Sequence, residues 1–210
     1  MDKKAVYKEL KDTIIIPVVR VESPEDAEKT ADVLAEAGIK AIEITMTVSK
    51  AEKVIEKLKE KFSDILIGAG TVLNKEQAEN VIKAGADFVV SPCFLQEVVK
   101  YCNEQDILVA PGTATPTEII TAYNYGADFI KVFPASTLGG PKYIKAVKSV
   151  YPHIDIMPTG GVNASTAGEF LKAGASFLGV GSEIVNSELV KNNRFQEIKI
   201  RAEKILNAIK

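Results

Sequence analysis

Lys131 stands inside an apolar run, Phe129-Ile130-Lys131-Val132-Phe133-Pro134. If the run is a strand, its period of two sends Phe129, Lys131 and Phe133 to one face and Ile130 and Val132 to the other. The β-branched pair suits a helix-covered outer face, which turns Lys131 inward. An enclosed ammonium loses its hydration, and desolvation favours the neutral amine. A neutral amine adds to ketones, the requirement for Schiff-base catalysis. The alternative is a lysine paired with a carboxylate for structure alone, since charged residues are almost never fully buried unpaired. Glu43 offers that partner. In Ala41-Ile42-Glu43-Ile44-Thr45, the isoleucines share the outer face, so Glu43 and Thr45 point inward. A carboxylate beside an amine nucleophile can move protons through carbinolamine formation and dehydration. As a mere buried ion pair the two would stabilise the protein poorly compared with apolar packing.

Such residues need elements to hold them, and the chain repeats itself in a way that supplies them. Four times a charged helical stretch ends in glycine and a short apolar strand follows: AGIKAIEI (37–44), AGADFVVS (84–91), YGADFIKV (125–132) and AGASFLGV (173–180). Glycine tolerates the left-handed conformation just past a helix, so Gly38, Gly85, Gly126 and Gly174 read as helix stops. Further strand candidates lie between them, which gives eight, near 14–20, 41–46, 65–72, 88–92, 107–112, 129–134, 155–160 and 177–182. Helices fill the gaps, near 24–37, 49–61, 75–84, 95–104, 116–125, 141–149, 164–173 and 188–208. Ser23-Pro24 and Thr115-Pro116 each place a cap before a proline at the first helical position.

The chain has 210 residues, so eight units take about 26 residues each, enough for a strand, a helix and two loops. Strict strand-then-helix alternation implies parallel strands with right-handed crossovers, and eight such units close into a (β/α)₈ TIM barrel. An open doubly wound sheet is the rival, but it would need a glycine-rich turn after the first strand. The turn reads RVESPED, without glycine. The expected fold is therefore one α/β domain, a TIM barrel over 1–210 preceded by a short N-terminal helix. In that fold chemistry sits at the C-terminal ends of the strands. There the turns Thr159-Gly160-Gly161 and Gly179-Val180-Gly181-Ser182 follow the seventh and eighth strands, the usual phosphate site, where bare backbone amides approach an anion. Any loop needing positive φ also uses glycine, so the joint occurrence of the two turns carries the reading.

Composition narrows the class. Hydrophobic residues make up 46%, charged residues 26%, and the net charge is −2, ordinary values for a globular domain and a poor match to a nucleic-acid-binding face. No apolar run approaches the roughly 20 residues of a membrane span, and the first eleven residues are charged and helical rather than signal-like. A cytoplasmic location is expected. His153 is the single histidine, placed at the end opposite the chemistry and expected on the surface; without convergent acids it argues against a metal enzyme. Cys93 and Cys102 form neither a disulfide framework nor a zinc cluster, and Cys93 reads as a small hydrophobe.

Taken together, IPVVR (16–20), GIKAIEIT (38–45), IGAGTVL (67–73), GADFVVSP (85–92), PGTATPTE (111–118), GADFIKVFPA (126–135), PTGGVN (158–163) and GVGS (179–182) resemble one family over essentially the whole chain. It is the class I 2-keto-3-deoxy-6-phosphogluconate (KDPG) and 4-hydroxy-2-oxoglutarate (KHG) aldolases. The resemblance implies Lys131 as the Schiff-base lysine and Glu43 as the general acid/base. It implies a contact from Thr71 to the pyruvate carboxylate, Phe133 and Thr159 in the pocket wall, and Gly160, Gly161, Gly181 and Ser182 as the phosphate cradle. It further implies a homotrimer that uses no metal and no organic cofactor. Many family members carry Arg four residues after the glutamate, where this chain has Thr47. Some relatives have instead an arginine ending the first strand, here Arg20, to which the anion contact is assigned. The galactonate epimer as substrate, and a non-catalytic ligand-binding barrel or scaffold, remain the alternatives.

Overall fold

The structure, a computed structural model, describes residues 2–209; Met1 and Lys210 lie outside it. Its strands are β1 (Ile15–Val19), β2 (Ala41–Thr45), β3 (Leu66–Gly70), β4 (Phe88–Val90), β5 (Leu108–Ala110), β6 (Gly112–Thr113), β7 (Ile130–Val132), β8 (Ile156–Pro158) and β9 (Leu178–Val180). Between them run α1 (Lys3–Thr13), α2 (Pro24–Glu36), α3 (Ala51–Lys61), α4 (Lys75–Lys83), α5 (Gln96–Glu104), α6 (Pro116–Asn124), α7 (Pro141–Val150), α8 (Ala167–Lys172), α9 (Ser187–Lys191) and α10 (Phe195–Ala208). All neighbouring strands pair in parallel, in the orders β5-β4-β3-β2-β1-β9 and β6-β7-β8. A bridge between Thr159 and Gly179 links the end of β8 to β9, and Pro111 joins β5 to β6. The sheet thus curls round on itself as eight staves in the (β/α)₈ pattern.

The four echoed glycines end helices by one device. Gly38, Gly85, Gly126 and Gly174 have φ of 91°, 92°, 92° and 101°. In the first, the Gly38 amide donates to the Ala35 carbonyl at 2.9 Å and the Ile39 amide to that of Leu34 at 3.1 Å. That pair of bonds is a Schellman cap, and it recurs at the other three. Ser23 and Thr115 cap α2 and α6, the latter in a capping box with Glu118.

Two expectations need correction. The helix expected over 188–208 is two helices, because the chain stops at Asn193 with φ 54°. The Asn193 amide donates to Val190 and that of Arg194 to Leu189, so asparagine makes the cap that glycine makes elsewhere. The strand expected over 107–112 is split into β5 and β6 at Pro111, which has no amide to donate.

Strand alternation sorts the core into two clusters. Ile42, Ile44, Ile67, Val89, Val109, Ile130, Val132 and Leu178 pack outward under the helices. Ile16, Ala41, Leu66, Phe88, Leu108, Phe129, Met157 and Phe177 fill the barrel interior, joined by Val6 and Leu10 of α1. α1 therefore stoppers the end where the strands begin. Its Tyr7 meets the edge of Phe177 at 6.0 Å and donates its hydroxyl to Asp155. Lys11 pairs with Asp155 at 2.8 Å and Lys3 with Asp128 at 2.9 Å. With α1 packed into that end, the interior opens toward a cavity where the strands finish.

Candidate active site

Glu43 and Lys131 occupy the next interior level above that apolar plug. On β2, Glu43 is in register with Val18 and Gly68; on β7, Lys131 is in register with Gly112 and Met157. Outer neighbours Ile42, Ile44, Ile130 and Val132 are fully buried under the helices, which fixes the inward orientation of both. The Lys131 Nζ lies 3.8 Å from Glu43 Oε1, with the carboxylate fully buried and the lysine 5% exposed. Both Glu43 oxygens lack a hydrogen-bond partner. A buried carboxylate left in that state is costly, and it is free to accept from a hydroxyl placed beside the lysine.

The space for that carboxylate is made by a missing side chain. A Cβ on Gly70 would stand 1.9 Å from Glu43 Oε1, and one on Gly179 would stand 2.1 Å from Thr159 Oγ1. Thr159 Oγ1 is likewise buried and unpartnered. Beyond Gly70, Thr71 adopts φ 58°, an unusual backbone for a β-branched residue. Such strain persists only where the surroundings over-determine it. Its Oγ1 accepts from the Arg20 guanidinium at 3.4 Å. Phe133 is 39% exposed and its ring centre lies 5.6 Å from Lys131 Nζ.

These groups line one cavity of about 560 Å³. Lys131, Phe133, Thr71 and Arg20 share its wall with Thr159, Gly160, Gly161, Gly181 and Ser182. Gly160 and Gly161 have φ of 99° and 75°, and a Cβ on Gly161 would come within 2.5 Å of Ser136 Cβ, so the turn needs glycine both for its backbone and for its packing against the loop after β7. Thr47 also lines the wall. Its hydroxyl is 2.7 Å from that of Thr45, which donates to the Val19 carbonyl at 3.1 Å. All ten residues singled out as site candidates therefore converge, Glu43 from just beneath the cavity.

Other placements differ from the sequence reading or add to it. Cys93 is exposed rather than packed as a small hydrophobe. His153 is exposed, with its ring 5.2 Å from that of Tyr123. Glu22, Asp26 and Lys191 also line the cavity and had drawn no attention. Glu22 stands two residues past Arg20, a proximity that could have flagged it; Lys191 lies in the stretch read as one continuous helix. Among the described residues, no group of three or more His, Cys, Asp or Glu is placed to hold a metal ion, and no helix is long and apolar enough to cross a membrane.

A family model described as KDPG and KHG aldolase matches residues 6–200. The chain is 33% identical over 204 residues to a 2-dehydro-3-deoxy-phosphogluconate aldolase of Treponema pallidum (strain Nichols), covering 97% of each chain. It is 35% identical over 172 residues to a 2-dehydro-3-deoxy-6-phosphogalactonate aldolase of Escherichia coli K12, covering 81% of this chain and 83% of the relative. Among solved structures it is similar to KDPG aldolase from Legionella pneumophila, in which pyruvate was captured at low pH as a covalent carbinolamine intermediate. The TM-score there is 0.88, at 33% identity over 98% of both chains.

Proposed function

The chain belongs to the KDPG and KHG aldolase family, and on that premise we propose that it cleaves 2-keto-3-deoxy-6-phosphogluconate reversibly to pyruvate and glyceraldehyde 3-phosphate through an imine on Lys131. The observation that carries the reading is the buried Lys131 amine 3.8 Å from a carboxylate with two unpartnered oxygens. Lys131 adds to the C2 ketone, and the carbinolamine loses water to give an iminium. Glu43 takes the proton of the C4 hydroxyl as the C3–C4 bond breaks. The electron pair moves into the iminium, leaving an enamine, and glyceraldehyde 3-phosphate departs. A proton returned to C3 from Glu43 gives the pyruvate imine, which water hydrolyses. Thr71 and Arg20 hold the carboxylate end of the substrate, Phe133 and Thr159 form the walls, and the amides of Gly160, Gly161, Gly181 and Ser182 receive the phosphate.

A direct assay tests this: KDPG with purified protein should yield equal amounts of pyruvate and glyceraldehyde 3-phosphate without added metal or cofactor. No cleavage of KDPG, with turnover of another 2-keto acid, would overturn the substrate assignment. A second reading, the galactonate epimer, is favoured by Thr47 standing where many relatives have arginine and by the 35% identity to the phosphogalactonate enzyme. Running both epimers and 4-hydroxy-2-oxoglutarate side by side decides between them. The homotrimer and the cytoplasmic setting belong to the same proposal, and light scattering on the eluted protein should report three chains per particle.

A further inference from the structure

The cavity reaches beyond the glycine turns, to the loop after β1 and to the short helix α9, which contribute Glu22 and Lys191. These two pair across its outer wall at 3.2 Å, with side chains 85% and 65% exposed. The backbone beneath each is anchored. The Ser49 amide donates to the Glu22 carbonyl at 3.3 Å, and α9 is seated by buried Leu189 and Val190. The two charged heads stand exposed above that anchored backbone.

Charge decides what they could do. Three cations, Arg20, Lys131 and Lys191, and three acids, Glu22, Asp26 and Glu183, line the cavity, and Glu43 beside Lys131 adds a fourth acid just beneath it. On the function proposed above, the ligand brings a carboxylate and a phosphate into a site with no surplus of positive charge. Lys131 is committed to the ketone carbon, and Arg20 is held against Thr71. Among the described lining residues, Lys191 is the cation without a task in that chemistry. Exposed ion pairs between long side chains hold weakly. A phosphate dianion is a stronger partner for an ammonium than one carboxylate, and the flexible lysine stem allows the exchange.

We propose that Lys191 is a specificity residue: it leaves Glu22 to pair with the terminal phosphate of the ligand, so that Glu22 competes with phosphate for it. This rests on the proposed function for the identity of the substrate, though not for the phosphate contact itself. The test compares KM for KDPG with KM for unphosphorylated 2-keto-3-deoxygluconate. In Lys191→Gln the ratio of the two should rise about three- to tenfold against KDPG. In Glu22→Gln it should fall about two- to threefold. The double variant should match Lys191→Gln alone, because Glu22 acts only through Lys191. An unchanged ratio in Lys191→Gln, or a Glu22→Gln effect that survives in the double variant, would overturn the proposal. If the wild-type protein fails to cleave KDPG, the substrate assignment fails, while titration with glycerol 3-phosphate by calorimetry still decides the role of Lys191. Affinity should then weaken in Lys191→Gln and tighten in Glu22→Gln; equal affinities in all three proteins would contradict it.

Discussion

Gly70 matters for the group it lets in. Its missing Cβ leaves the volume that Glu43 Oε1 occupies, and Gly70→Ala would place a methyl 1.9 Å from that oxygen and 2.6 Å from Glu43 Cγ. The carboxylate would have to move. Misplacing a reacting group by an ångström can cost about 100-fold, so kcat for Gly70→Ala should fall by about that factor with the far-ultraviolet circular dichroism unchanged. Near-wild-type turnover would show that the carboxylate position is not critical. Glu43→Gln keeps the volume and removes the base. General acid–base groups contribute roughly 10²–10⁴-fold, and proton exchange at the pyruvate methyl should drop by about that much; exchange at the wild-type rate would assign the base elsewhere. Arg20→Ala should lower kcat/KM for phosphorylated keto acids about 10- to 150-fold, the loss of a charge-assisted hydrogen bond of about 1.5–3 kcal/mol. Thr47→Arg should be neutral or harmful, since Thr47 is already paired with Thr45. A silent Arg20→Ala with an activating Thr47→Arg would show that Arg20 is only a strand-end surface residue and would overturn the substrate assignment while leaving the Schiff-base chemistry in place.

Among the elements, α1 has the clearest energetic role, because it closes the barrel floor with Val6, Leu10 and Tyr7 and ties itself down through Asp155. Burial alone would raise the Asp155 pKa, but the hydrogen bonds from Lys11, Ser176 and Tyr7, together with the Lys11 charge, outweigh it and hold the carboxyl below its ordinary value. A folded-state pKa below the unfolded one gives stability that is present above the unfolded value, near 4, and is lost as pH falls through the folded value. Tyr7 shows the counterpart: burial first, then Asp155, pushes its phenol up. Asp155→Asn should therefore destabilise the protein at neutral pH by about 1.5–3 kcal/mol. Its chemical denaturation midpoint should also lose less than the wild type does between pH 5 and pH 3. Equal acid sensitivity in both proteins would remove Asp155 from the account. Helix ends were legible where glycine made the cap, because a Schellman turn is written within six residues. Asn193 makes the same turn without the glycine that signals it, and so the break between α9 and α10 escaped the pattern.

For the whole molecule, what could be read in advance divides by the range of the interaction. The eight units and their alternation follow from glycine helix stops and short apolar runs, and the inward faces of Glu43 and Lys131 from period-two patterning along single strands; all are local in sequence and were legible for that reason. The strain at Thr71 was not, because left-handed backbone at a β-branched residue runs against its own preference and is imposed by neighbours. Nor was the fit of Glu43 into the space at Gly70, which depends on how two strands lie in register, nor the pairing of Glu22 with Lys191 from opposite ends of the chain. The barrel turns these local choices into one site: an apolar floor sealed by α1, a buried amine and carboxylate above it, and glycine turns at the rim. That arrangement makes the covalent step the claim on which the rest depends. Borohydride reduction in the presence of pyruvate, followed by peptide mass mapping, measures it directly. The account predicts the mass of a reduced pyruvyl group on the single peptide containing Lys131, and its disappearance in a folded Lys131→Ala. Labelling at another lysine, or at none, would contradict it.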